Sequence, residues 1–349
     1  MNSEEISQKI QEVIFEIAKE PKNVENYHTL ANLYGMDSKF DSMISTYESL
    51  LSAHPDDVLA LINVGSLWFY KKDYRKAFSY FKEAEKLAPM NYTVFFNMAN
   101  VYAELKNFSK SLEYYNRAID LKAPLKDVYN AIARLFTDFE NYVEAKAYYK
   151  DTLSLDNNNI TAHAGLGNIY LTLCDYEKSL YHYKKVEEVY PDDKLVTVHI
   201  GNTLSSMKRK DEAFAYYEKA LKMEGDKYIV YNAYAISKCS FVDFDSAIEL
   251  YKKAIELSPK ESNAYILLGN LYSDLDEFEL AQRQYQKVLK IAYNNAMAHM
   301  SMGNSYYMQG DIENALVSYR DAIKMAPDND EYKLVYTQIL GEYVDKKGN

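Results

Sequence analysis

A period of thirty-four residues governs this chain: stepping by 34 from Val24 lands on 58, 92, 126, 160, 194, 228, 262, 296 and 330 with no insertion or deletion. The stretch 58–91, VLALINVGSLWFYKKDYRKAFSYFKEAEKLAPMN, shows what one period holds. Numbered from Val58, positions 4, 7, 8 and 11 (Leu61, Val64, Gly65, Trp68) share one stripe of a first helix. Positions 17, 20, 24 and 27 (Tyr74, Ala77, Phe81, Ala84) share one stripe of a second. Lys71-Lys72-Asp73 make the turn between them, and Pro89 at position 32 stops the second helix. Large residues at 4, 7, 11, 17 and 24 fill the space between helices, and small ones at 8, 20 and 27 let two backbones approach.

The pattern recurs without drift. Position 8 reads Ala31, Gly65, Ala99, Ala133, Gly167, Gly201, Ala235, Gly269 and Gly303, and position 24 reads Tyr47, Phe81, Tyr115, Tyr149, Tyr183, Tyr217, Tyr251, Tyr285 and Tyr319. Position 32 is proline at Pro55, Pro89, Pro191, Pro259 and Pro327, and Ala123, Asn157, Gly225 and Tyr293 replace it elsewhere. This set of residues resembles the tetratricopeptide repeat over nearly the whole chain. The resemblance implies an all-α fold, an α-solenoid in which nine 34-residue helix-turn-helix repeats wind into a right-handed superhelix.

One solenoid over 1–349 is therefore expected, with repeats at 24–57, 58–91, 92–125, 126–159, 160–193, 194–227, 228–261, 262–295 and 296–329. Each end carries a half-repeat. In residues 1–23, Ile6, Ile10, Val13 and Ile17 mark a lone second helix whose positions 20 and 27 are charged (Lys9, Glu16), because no partner helix lies there. Residues 330–345 read as a lone first helix with polar Lys333 and Thr337 at positions 4 and 8, which suggests a complete array with disorder confined to the final DKKGN. Two repeats are weaker: Thr197 and Lys210 stand at packing positions of one, Lys238 of the next. Looser packing is expected between about 194 and 245, unless Lys238 reaches out along its stem.

Composition narrows the partners. The 35 tyrosines fall mostly on positions 4, 11, 17, 23 and 24, so they are core. A net charge of −11 argues against nucleic acid and against an anionic membrane surface. Cys174 and Cys239 lie in different repeats and suggest neither a zinc site nor a disulfide, which fits a reducing cytoplasm. The acidic amphipathic start lacks the features of a signal peptide, and no later stretch is apolar enough to span a bilayer.

In the resembled family the first helices line a concave wall, with positions 2, 5, 6, 9, 12 and 13 facing in. Position 9 here is Asn32, Ser66, Asn100, Arg134, Asn168, Asn202, Ile236, Asn270 and Asn304, and Asn63 and Asn97 stand at position 6. An amide carries a donor and an acceptor that match an extended peptide backbone, so this row is a candidate peptide-binding site. Because these side chains face the groove, their loss should cost affinity and little stability. Family members that grip chaperone tails use lysines and arginines at positions 2 and 6. None stands there in this chain. Arg134 is the one inward cation, against Glu25, Glu104, Asp127, Asp138 and Asp274, so a neutral, apolar or mildly basic ligand is expected.

Apolar wall residues cluster as Leu59, Ile62, Phe69, Tyr70 and Phe96 toward the front and Ile266, Leu267, Met297, Met300, Tyr307 and Met308 toward the back. Neighbouring first helices touch at these positions, so part of each cluster is expected to be packed. Histidines at 28, 54, 163, 182, 199 and 299 show no metal-ligand spacing, and His163 and His299 fall on packing position 4. No phosphate loop or catalytic constellation is visible, so neither enzyme nor cofactor is expected. The expected role is a protein-interaction scaffold that binds an extended or helical peptide. The alternative is a structural subunit that self-assembles.

Overall fold

The computed structural model describes residues 3–348, all helix and short connection with no strand among them. It divides into two compact units, Met1–Thr172 and Leu173–Asn349, and the division falls inside the repeat that begins at Ile160.

In the first unit, α1 (Ser3–Lys19) is followed by alternating first and second helices. These are α2 (Val24–Met36), α3 (Phe40–Ala53), α4 (Val58–Tyr70), α5 (Tyr74–Leu87), α6 (Tyr92–Glu104), α7 (Phe108–Asp120), α8 (Leu125–Asp138), α9 (Tyr142–Leu155) and α10 (Ile160–Thr172). Beyond α1 the core clusters of this unit join a first helix, its second helix and the next first helix: Ala99, Tyr115 and Ile132, for instance, belong to one cluster across α6, α7 and α8. Burying one such tyrosine ring matters at the scale of about 3–5 kcal/mol, the cost of truncating an aromatic to alanine. On α1, Ile6, Ile10 and Val13 are buried against Leu30 and Leu33, while Lys9 and Glu16 face outward.

The second unit holds α11 (Tyr176–Val189), α12 (Lys194–Ser206), α13 (Lys210–Lys222), α14 (Tyr228–Ser240), α15 (Phe244–Leu257), α16 (Ser262–Asp274), α17 (Phe278–Ile291), α18 (Ala296–Met308), α19 (Ile312–Met325) and α20 (Asp330–Gly348). Residues 345–348, expected to be disordered, continue α20, and Asn349 lies outside the described residues. Ile339 packs on Ala315 and Tyr319, while Lys333 and Thr337 are exposed. Between 194 and 245 the packing differs in chemistry rather than in closeness. Helix α12 buries Val196, Thr197, Val198, Ile200, Gly201, Thr203, Leu204 and Ser205, and hydroxyls meet across helices as Ser179 with Thr203 at 3.3 Å and Ser205 with Ser237 at 2.8 Å. Lys238 lies along the Phe214 ring, 4.2 Å from its centroid, and bonds Asp243 at 2.8 Å.

One backbone feature recurs at the turn of each repeat. The residue at position 15 is left-handed throughout, at Ser38, Lys72, Lys106, Glu140, Cys174, Lys208, Val242, Asp276 and Gly310, with φ between 55° and 83°. The next N–H then reaches back five residues, as Asp73 to the Trp68 carbonyl at 2.9 Å, closing a Schellman turn. That same residue caps the following helix: Asp73 accepts from the Lys76 N–H and Asn107 from the Lys110 N–H. At the other junction position 34 does the capping, with Asp57 accepting from the Ala60 N–H at 2.8 Å and Asp193 from the Val196 N–H at 3.0 Å. Where both bonds are made, as at Asp73 and Asn107, one residue ends a helix and caps the next.

Candidate functional site: the first-helix face

The site begins with the tyrosine at position 24. It projects from the second helix onto position 8 of its own first helix, so closely that a Cβ added at Gly201, Gly269 or Gly303 would lie 2.5–2.9 Å from the Tyr217, Tyr285 or Tyr319 ring. Small residues at position 8 therefore make room for the ring. The hydroxyl, carried past the crossing, comes out beside position 9. Tyr115 donates to Asn100 Oδ1 at 2.5 Å, Tyr217 to Asn202 at 2.8 Å, Tyr285 to Asn270 at 2.8 Å and Tyr319 to Asn304 at 2.9 Å. Burial pushes the Tyr115 hydroxyl up to about 12 against the nearby Arg134 guanidinium, and Tyr319 also to about 12, so both remain neutral donors.

This bond changes what the amide row presents. One lone pair of each of these Oδ1 atoms is taken by the core, which orients the amide and leaves its N–H donor pair to the face. The expectation that these side chains can be removed without cost to the fold is corrected accordingly, because removal would strip a buried hydroxyl of its partner.

Where position 9 is not asparagine the hydroxyl is served otherwise or is missing. Ser66 accompanies Phe81, which has none. Tyr149, in the Arg134 repeat, and Tyr251, in the Ile236 repeat, have Thr137 and Cys239 respectively at position 12 among the groups that act on their hydroxyls. Position 6 of the following repeat meets the same ring from the other side. Asn63 Nδ2 donates to the Tyr47 hydroxyl at 3.0 Å, a Cβ at Gly165 would fall 2.2 Å from the Tyr149 ring, and His199 stacks on Tyr183 with centroids 5.1 Å apart. Burial lowers the His199 pKa, which keeps that imidazole neutral.

The family models for the tetratricopeptide repeat match residues 92–124, 127–159, 198–227, 243–304 and 296–329, together just over half of the chain. The chain belongs to the tetratricopeptide repeat family. Among solved structures, yeast Tom70 matches with a TM-score of 0.61 at 15% identity, over 99% of this chain and 93% of that one. A tetratricopeptide repeat protein from Parabacteroides merdae gives 0.55 at 18% identity, over 71% of this chain and 98% of its own. At such identities the likeness concerns the fold alone. No curated protein is similar enough in sequence to count as a relative.

On this tetratricopeptide repeat face the remaining candidates divide by exposure. Asn32, Arg134, Asn168, Asn270 and Asn304 are exposed, and Asn63, Asn97, Asn100 and Asn202 half-buried. Phe69, Phe96 and Met300 are partly buried against core clusters, whereas Tyr70 is 68% exposed and Tyr307 bonds Glu342 at 2.8 Å. A third apolar group joins Ile236, already noted at position 9, to two residues unread in the sequence: Leu195, Ile229 and Ile236 are each about half exposed on α12 and α14. Leu195 and Ile229 stand at position 2, and Leu59 and Met297 at the same position are exposed as well. Lys208, at the end of α12, lines a cavity on this face and was also missed, because a turn position was not counted as facing in.

The histidines at position 4 have structural partners. His163 Nε2 and His299 Nε2 each lie 3.0 Å from a backbone carbonyl six residues back. Among the described residues no three His, Cys, Asp or Glu side chains are placed to hold a metal ion, and no helix is long and apolar enough to cross a membrane. Neither Cys174 nor Cys239 is in a disulfide among the described residues.

Proposed function

We propose that this protein is an interaction scaffold that holds an extended or helical peptide segment of a partner protein on its first-helix face. The observation that carries the reading is the asparagine whose Oδ1 is held by a buried tyrosine, found at Asn202, Asn270 and Asn304 of the second unit and, separately, at Asn100 of the first. An amide fixed in this way offers N–H donors in register with the 34-residue repeat, one repeat apart at Asn270 and Asn304 and two repeats apart at Asn202 and Asn270. Peptide carbonyls are the acceptors every partner sequence supplies. Leu195, Ile229 and Met297 are exposed on the first helices of the second unit, as Tyr70 is in the first, and supply apolar contact that discriminates among ligands. The acidic balance of the chain favours neutral or mildly basic segments, and the work is placed in the cytoplasm, without a cofactor.

Hydrogen exchange on the complex with a partner recovered by pull-down tests this reading. New protection on first helices such as α12, α16 and α18 supports it, and protection confined to second helices refutes it. Self-assembly is the competing reading, favoured by Leu334 and Val344, 69% and 59% exposed on α20. Light scattering over a concentration series separates the two.

A further inference from the structure

Beside Asn202 the first-helix face opens into a cavity of about 450 Å³ between α12 and α14, lined by Asn202, Ser206, Lys208, Ile236 and Ser240 among others. Its polarity differs from that of the rest of the face. Position 13 holds a carboxylate in three other repeats, at Glu104, Asp138 and Asp274, but is Ser206 and Ser240 here. The two hydroxyl side chains leave space and take away negative charge. At the mouth stands Lys208, whose ammonium lies 5.6 Å from the Phe241 ring centroid and meets no carboxylate among the described residues. Its neighbours are already committed, Arg209 to Glu212 at 2.7 Å and Lys238 to Asp243 at 2.8 Å. The Asn202 amide is oriented by Tyr217, so its donors are the part left over. Deeper in, Ser205 and Ser237 hold each other at 2.8 Å.

We infer that this cavity takes an oxyanion, a phosphoryl or carboxylate group carried on the bound peptide. The inference rests on the peptide-binding reading above and adds a chemical requirement to it. An ammonium with no carboxylate partner, a fixed amide donor and the Ser206 hydroxyl form the kind of set an oxyanion needs, while the Ser240 hydroxyl already donates to the Ser237 carbonyl at 2.8 Å. Ile236 and Ala233 give an apolar side against which the stem of a phosphorylated or terminal residue can lie. Across a chain of net charge −11 this site runs against the overall sign, which makes the local arrangement more telling than bulk charge.

The test needs no partner. Full-length protein is titrated at constant ionic strength with inorganic phosphate, then with O-phospho-N-acetylserine amide and with N-acetylserine, while the Asn202 side-chain amide resonance is followed. Saturable shifts are expected, with the phosphoserine or the free carboxylate probe identifying the source by whichever binds more tightly. Lys208→Gln should weaken binding about tenfold, the scale of a lost charge-assisted hydrogen bond. Ser206→Asp, which restores the carboxylate of other repeats, should abolish it. Lys106→Gln, at the equivalent turn of another repeat, should change nothing. Absence of a saturable shift with every probe overturns the inference, as does a shift that survives Ser206→Asp and Lys208→Gln. A peptide partner that binds the first helices of a protein indifferent to these anions would leave the scaffold reading standing and sink this site. Anion binding with no peptide on the face would do the reverse.

Discussion

Tyr115→Phe and Asn100→Ala, made singly and together, test the link between core and face. Tyr115 is fully buried, its ring lies in the cluster with Ala99, and its hydroxyl donates to Asn100 Oδ1 at 2.5 Å. Removing the hydroxyl keeps the ring and loses one neutral hydrogen bond, about 0.5–1.5 kcal/mol net. Removing the amide leaves the hydroxyl beside Arg134 alone, and about 1–2 kcal/mol is expected for a partly satisfied buried donor. Each single variant loses the same bond, so the double variant should cost little more than the worse single one. A coupling of about 1 kcal/mol follows, within the range for residues in direct contact. Urea unfolding is the assay. Both positions lie in the first unit, so the transition of that unit is read if two appear. Additive costs, with coupling indistinguishable from zero, would refute the claim that the tyrosine orients the amide. The repeat with Ser66 and Phe81 shows that the fold accommodates a ring without a hydroxyl.

Three further outcomes are expected. Val242 holds φ 62° while 72% exposed, a backbone region costly for a β-branched side chain, so Val242→Gly should stabilise by about 0.5–1 kcal/mol in chemical denaturation. A less stable variant would contradict the strain. Asn232 is 94% buried by its 6% exposure and neither amide atom has a protein partner, whereas position 5 is isoleucine at Ile62 and Ile266. Asn232→Leu should therefore raise stability by about 1–3 kcal/mol, checked by the melting temperature. Alkaline pH should unfold the protein. The unfolded chain loses tyrosine protons near pH 10 while Tyr115 keeps its proton to about 12, so the unfolded state binds fewer protons in that window and stability falls as pH rises, by roughly 3 kcal/mol for Tyr115 alone. Circular dichroism that stays helical after phenolate absorbance has risen in full would contradict this.

The helices, their order and the ring-on-small-residue crossing were legible because they are carried by periodicity, which a single sequence displays nine times over. The caps were legible too, since Asp73, Asn107, Asp57 and Asp193 stand one residue before their helices, though periodicity alone does not call attention to them. The left-handed residue at position 15 was hidden: glycine fills it once, at Gly310, and lysine, glutamate, valine and cysteine hold the same conformation elsewhere because two helix ends enforce it. The use of each amide was hidden for another reason. It depends on which atom meets a hydroxyl fifteen residues away, and only the joint appearance of Ser66 with Phe81 hinted at it. Phe96 and Met300, read as wall residues, sink partly into clusters because successive first helices approach within side-chain reach.

The central claim is that tyrosine-held amides donate to a bound peptide, and Asn202→Asp, Asn270→Asp and Asn304→Asp combined isolate it. Aspartate keeps an oxygen for Tyr217, Tyr285 and Tyr319 to bond but has no N–H to offer, so the core is served and the face is changed. Titration of a labelled peptide, cut from a partner recovered by pull-down, should show affinity falling by on the order of 10- to 1000-fold, three donors at about 0.5–1.5 kcal/mol each. The melting temperature should hold. Unchanged affinity with an intact fold would contradict the account and move recognition off the amide row.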